Sequence, residues 1–192
     1  DLLRFSTETS SNDAPSSVGT IIDVGTGSAL IPLELIRVTP DVGPIIAVDL
    51  SVEMLRLAIQ QFRNQTLTAR ILPLLSDAKR LPVADASCEV VISNSIVHHI
   101  PHPAAVFHEL HRIIKPGGVL FLRDLMRPDT TTGGEQLVDQ YAGSENLHQQ
   151  QLFRQSLHAA LTVDEVRELL DRTGFAAATI NATSDRHWTV TA

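Results

Sequence analysis

The sequence predicts an α/β fold, a doubly wound and mostly parallel sheet of seven strands with helices on both faces. Three observations carry it. Short apolar runs alternate with segments of helical periodicity, a glycine turn follows the first run, and the composition suits a single globular domain. Of the 192 residues, 43% are hydrophobic and 19% charged, with only 10 Gly and 10 Pro, which excludes a disordered or collagen-like chain. Fifteen Lys and Arg stand against 22 Asp and Glu, a net charge of -7 without a basic run to offset it, so nucleic acid is not an expected partner. No stretch approaches the ~20 apolar residues that span a bilayer. The single cysteine, Cys88, forms no internal disulfide, and the expected location is cytoplasmic.

The chain opens on Asp1 without a methionine, and residues 1–17 are polar and lack apolar periodicity. They are expected to form a flexible arm on a trimmed or partial chain, ahead of one domain over residues 18–192. Residues 20–24 make the first strand, and residues 28–38 follow with Leu30, Leu33, Leu35 and Ile36 at helical spacing. Residues 44–48 repeat the strand signal and end in Asp49. Ser51 then caps a helix through Phe62, with Met54, Leu55, Ala58 and Ile59 on the same face as Phe62. Residues 70–75 and 89–93 give the third and fourth strands. Residues 103–114 form a helix with Pro103 in its first turn, and Lys115-Pro116-Gly117-Gly118 reads as its stop before a fifth strand over 119–123. Residues 126–160, polar and Gln-rich, leave the active edge of the sheet and are the expected substrate lid. Thr162 starts a helix ending at Gly174, and residues 175–180 and 187–191 close the sheet.

The exit of the first strand decides the expected ligand. Gly25 and Gly27 let the backbone approach a ligand at the usual crevice of a doubly wound sheet. A dinucleotide fingerprint would place its third glycine at position 30, where Leu30 stands, and here an acid, Asp23, precedes the first glycine by two. Asp49, after the second strand, is placed to accept from the two hydroxyls of a ribose. Asp23-Val24-Gly25-Thr26-Gly27-Ser28-Ala29 resembles the first motif of class I S-adenosylmethionine (SAM) methyltransferases, with Ala29 in place of the usual third glycine. The resemblance continues through Asp49, Asp77-Ala78, residues 88–95, His98-His99, residues 113–118 and residues 161–175. It covers about residues 18–192 and is strongest to small-molecule methyltransferases related to quinone-biosynthesis enzymes.

That resemblance implies a Rossmann-like methyltransferase fold whose last strand is antiparallel, SAM as cofactor, S-adenosylhomocysteine as product and a small-molecule methyl acceptor. Gly25, Thr26 and Gly27 would admit the methionine portion, and Asp23 would favour its ammonium group. Leu50 and Met54 would flank the adenine, Asp77 and Ala78 would meet its edge, and Ser93 and Asn94 would supply acceptors to the methionine end. The sulfonium is an activated methyl donor, so a base is optional. His98 and His99 are the candidate catalytic residues, with acceptor contact, helix entry or cofactor cover as the other readings. His98, His99, His102, His108 and His111 fall close together, but Pro101 and Pro103 break any regular face through them and no metal is expected. Cys88 reads as a small buried apolar residue. Arg123 and Arg127 could hold a substrate carboxylate, though pairing with Asp124 and Asp129 is the favoured reading. Tyr141 and Phe153 line an acceptor site or pack a core. Two other functions stay open: a SAM-binding interaction protein without catalysis, and a nicotinamide-dependent oxidoreductase, which Leu30 and Asp23 disfavour.

Overall fold

The computed structural model describes residues 19–192 except Thr66 and Thr68, so the expected arm over residues 1–17 lies outside the described residues. Strand β1 (Ile21–Val24) is buried along its whole length, as a central parallel strand covered on both faces must be. Helix α1 (Leu30–Val38), strand β2 (Ile45–Asp49), helix α2 (Val52–Asn64) and strand β3 (Ile71–Leu75) complete the first half. Ser51 caps α2 by accepting from the Met54 backbone N–H at 3.3 Å. The second half runs β4 (Cys88–Asn94), a 3₁₀ turn (Val97–His99), α3 (Ala104–Ile113) and β5 (Ile114–Leu125). Then come α4 (Thr131–Ala142), α5 (Leu147–Ala159), α6 (Val163–Arg172), β6 (Thr179–Ser184) and β7 (His187–Thr191). Thr162 and Glu165 cap α6 reciprocally, side chain to backbone in both directions.

The seven strands lie in the order β3-β2-β1-β4-β5-β7-β6, parallel except for β7, which runs antiparallel to both neighbours. The order reverses between β1 and β4, and a crevice opens there at the carboxyl ends of the strands. One face of the sheet buries Ile22, Val24 and Leu122 against Phe107, Leu110 and Leu170. The other buries Ile21, Ile71 and Phe121 with Leu33, Ile36 and Phe62. A third cluster, around Leu137, Val138 and Leu157, joins α4 to α5.

Three local expectations are corrected. Helix α1 starts at Leu30 rather than residue 28, because Ala29 before it is left-handed with φ 62°. Lys115-Pro116-Gly117-Gly118 does not separate α3 from the fifth strand; it lies within β5. Cys88 pairs with Ile114, and the register then shifts before Val90 meets Val119. Gly117 takes φ +76° in this irregular stretch, and a side chain on Gly118 would come within 2.9 Å of the Glu89 carbonyl, so glycine is what lets the strand hug its neighbour. Residues 175–178 lie outside β6, which begins at Thr179; buried Phe175 instead packs its ring edge-on to His111 at 5.1 Å.

Candidate active site

The turn leaving β1 is built on left-handed backbone. Gly25 (φ +78°), Gly27 (φ +56°) and Ala29 (φ 62°) all adopt it, and for alanine that conformation costs about 1–2 kcal/mol. The Gly25 and Thr26 amides both donate to the Val48 carbonyl, at 2.9 and 2.8 Å, laying the turn against β2. A side chain on Gly25 would strike Ile96 Cγ2 at 1.9 Å, so the segment leaving β4 crosses the turn in direct contact. The Cβ position of Gly27 has nothing within 4 Å. One glycine serves packing, and the other borders open space.

Two carboxylates flank this turn. Asp49 Oδ2 accepts from the Gly27 N–H and Oδ1 from the Ser51 N–H, both at 2.8 Å. An ionised carboxylate has about four lone-pair sites, so each oxygen keeps capacity for a second donor. Beside it Leu50 and Met54 are 67% and 43% exposed, apolar surface that a flat ring would cover. Asp23 is buried; its Oδ2 accepts from the Thr26 hydroxyl at 2.6 Å, while Oδ1 is buried without a partner among the described residues. Burial pushes the Asp23 carboxyl up to about 7, the Thr26 hydrogen bond opposes this, and the Asp49 charge adds to it.

The remaining sequence-predicted residues are less concentrated. The Ser76 N–H donates to the Asp49 carbonyl at 3.1 Å, bringing the exit of β3, with Asp77 and Ala78, beside that of β2. Asp77 accepts from the Lys79 N–H at 2.9 Å and pairs with its ammonium; these hold its carboxyl below the usual range. Ala78 packs against the first core cluster. Ser93 is fully buried and gives its hydroxyl to the Val24 carbonyl at 2.7 Å, so that group ties β4 to β1. Asn94 lies in register with Arg123 of β5.

His98 is held by a group the sequence reading gave to arginine. Its Nδ1 lies 2.5 Å from Asp124 Oδ1. Asp124, fully buried in β5, also accepts from the Val97 and Leu125 N–H groups at 2.5 and 2.6 Å. Arg127 pairs with Glu165 instead, and reaches the Ala160 carbonyl at 3.2 Å. The signal for Asp124 was an acid set among apolar residues of a core strand, which needs a buried donor. The His99 ring lies 4.0 Å from that of His98, and burial, with His98 adding, pushes its pKa below the usual histidine value.

In the 126–160 segment, Tyr141 donates its hydroxyl to Asp185 at 2.7 Å and lies under the Arg186 guanidinium, while Phe153 packs on the third core cluster. A cavity of about 640 Å³ opens between the root of this segment, at Arg127 and Thr130, and Arg154 and His158 of α5. Another of about 610 Å³ lies beside His111 and Gly174. Neither is at the glycine turn. What the turn offers is a buried acceptor lacking a donor, a carboxylate with spare lone pairs, open space at Gly27 and uncovered apolar surface. Those features fit a cationic ligand that carries a hydroxylated sugar and a flat ring.

A family described as a methyltransferase domain matches residues 22–122. A demethylmenaquinone methyltransferase of Porphyromonas gingivalis is 32% identical over 114 residues, 59% of this chain and 46% of that protein. An arsenite methyltransferase of Halobacterium salinarum is 30% identical over 173 residues, 84% of this chain and 38% of that protein. The chain thus spans less than half the length of these relatives. A solved structure of a SAM-dependent methyltransferase from Aquifex aeolicus superposes with a TM-score of 0.67 at 18% identity, covering 93% of this chain and 83% of that one. This last likeness is one of fold.

Proposed function

The chain belongs to the methyltransferase-domain family of class I SAM-dependent methyltransferases, and from that premise we propose that it transfers a methyl group from SAM to a small-molecule acceptor. The observation that carries the reading is the joint between Asp49 and Gly27: the acid closing β2 accepts from the turn amide and keeps lone pairs for two ribose hydroxyls. SAM, when bound, supplies an electrophilic methyl group on a sulfonium. The protein's own work is binding, orientation and exclusion of water.

In this proposal Asp49 orients the ribose and Asp23 receives the ammonium group at its unpartnered Oδ1. Leu50 and Met54 cover the adenine, Asp77 and Ala78 meet its edge, and the backbone at Ser93 and Asn94 borders the methionine end. Thr26 acts through Asp23, since its hydroxyl is given to that carboxylate. His98 and His99 stand on the acceptor side, and the 126–160 segment closes over it within one domain spanning residues 18–192. The relatives carry different acceptors in their names, and a protic organic acceptor suits this chain better than a metalloid. Cys88 is its single thiol, buried at the start of β4, and burial raises its pKa.

Calorimetry with S-adenosylhomocysteine and with NAD, followed by a radiolabelled methyl-transfer screen, tests the proposal. Heat with the homocysteine nucleoside alone and turnover of one acceptor are expected. Binding without turnover across quinols, phenols, amines and thiols favours the interaction-protein reading, and heat with NAD alone overturns the proposal.

A further inference from the structure

Asp124 does more than its place in the sheet requires. Burying a carboxylate costs several kcal/mol unless donors surround it, and the Val97 and Leu125 N–H groups already give it two. The third contact goes to a side chain that could titrate, His98 Nδ1 at 2.5 Å. An ionised carboxylate can only accept, so the proton in this contact sits on Nδ1. In a neutral imidazole the other nitrogen then carries the lone pair. Among the described residues no group hydrogen-bonds to His98 Nε2. Position adds to chemistry: Ile96, two residues earlier, rests on Gly25, and α5 packs against the 3₁₀ turn that carries His98. The imidazole therefore stands between the glycine turn and the 126–160 segment.

We infer that Asp124 is a positioning residue that fixes His98 as the Nδ1–H tautomer, making Nε2 the base for an acceptor whose reacting atom bears a proton. This rests on the methyl-transfer reading and narrows its acceptor to phenols, enols and related protic nucleophiles. Nε2 takes the proton of the acceptor O–H as the oxygen's electron pair forms the bond to the methyl carbon, and the pair of the breaking C–S bond stays on sulfur. Positive charge thus passes from sulfonium to imidazolium, beside the Asp124 carboxylate that offsets it.

The first test needs no cofactor. Long-range proton–nitrogen NMR of the histidine-labelled chain at pH 8, with His98 assigned by its loss in His98→Gln, is expected to show a protonated Nδ1 and a bare Nε2. An Nε2–H tautomer or an imidazolium at that pH overturns the inference. In Asp124→Asn the side-chain amide can donate to Nδ1, and the tautomer is expected to switch; a variant that does not fold leaves the wild-type spectrum to decide. The second test compares methyl transfer from SAM to phenol, of pKa about 10, and to 4-nitrophenol, already ionised at pH 8.5. His98→Gln is expected to lower kcat about 100-fold with phenol and less than about threefold with 4-nitrophenolate. Equal losses overturn the base role. No transfer to either overturns the acceptor class, and calorimetry with S-adenosylhomocysteine separately decides whether the cofactor reading stands.

Discussion

Replacing Asp23 with asparagine isolates a single buried charge. Its carboxyl sits at about 7 in the folded chain against 3.8 when free, which corresponds to about 4 kcal/mol. The sign follows from the direction of the shift. A raised carboxyl favours the neutral form on folding, so its contribution is fully present below about pH 4 and is shed as pH rises towards 7. Above that, the folded state carries an uncompensated buried carboxylate. Between pH 5 and pH 8 the loss from this group amounts to about 2.5 kcal/mol. Asparagine keeps an acceptor for the Thr26 hydroxyl and does not titrate. Urea unfolding at both pH values should therefore show Asp23→Asn gaining about 2.5 kcal/mol on the wild type as pH rises. The same group couples binding to protons: at pH 7, capture of a ligand ammonium should release about half a proton more from wild type than from Asp23→Asn. Calorimetry in two buffers of different ionisation heat reads that difference. A stability gap independent of pH, or identical proton release from the two proteins, would refute the argument.

Asp49→Asn should weaken S-adenosylhomocysteine binding by roughly 10- to 100-fold in calorimetry, the value of hydrogen bonds to a charged acceptor. Gly27→Val places a β-branched residue at φ +56° and should cost about 1–2 kcal/mol in urea unfolding. Because its side chain enters the open side of the turn, it should also abolish nucleoside binding. Trp188 is the largest fully buried side chain, and its Nε1 has no partner among the described residues. Trp188→Phe should therefore cost less than about 2 kcal/mol, as relief of an unmet donor worth about 1–3 kcal/mol offsets lost packing. Trp188→Ala should cost about 3–5 kcal/mol.

The first two βα units are legible because each signal is local: apolar strands, a glycine turn, and a serine cap at Ser51 that the helix uses. The elements misread are those where tertiary pairing outweighs local propensity. Lys115 to Gly118 carries the strongest breaker signature in the chain, yet pairing with β4 draws it into a bulged strand. Strand β6 sits at the sheet's edge with most of its residues exposed, so its polar sequence hides it, while the apolar Phe175 beside it serves a helix end. At the site, residues 23–27 and Asp49 are legible because spacing after a strand determines where they fall. Asp124 was visible as an acid in an apolar strand, but its partner His98 lies 26 residues away, and no local pattern links the two.

The position of β7 bears on how the chain is made. It inserts between β5 and β6, so while a ribosome is still extruding the polypeptide, one flank of β5 has no neighbour and β6 has nowhere to dock. Until those final residues emerge, Leu120 and Leu122 border an unsatisfied ladder of the kind that recruits foreign strands. Completion of synthesis, rather than any earlier collapse, is the moment at which this half of the sheet becomes safe from misassociation.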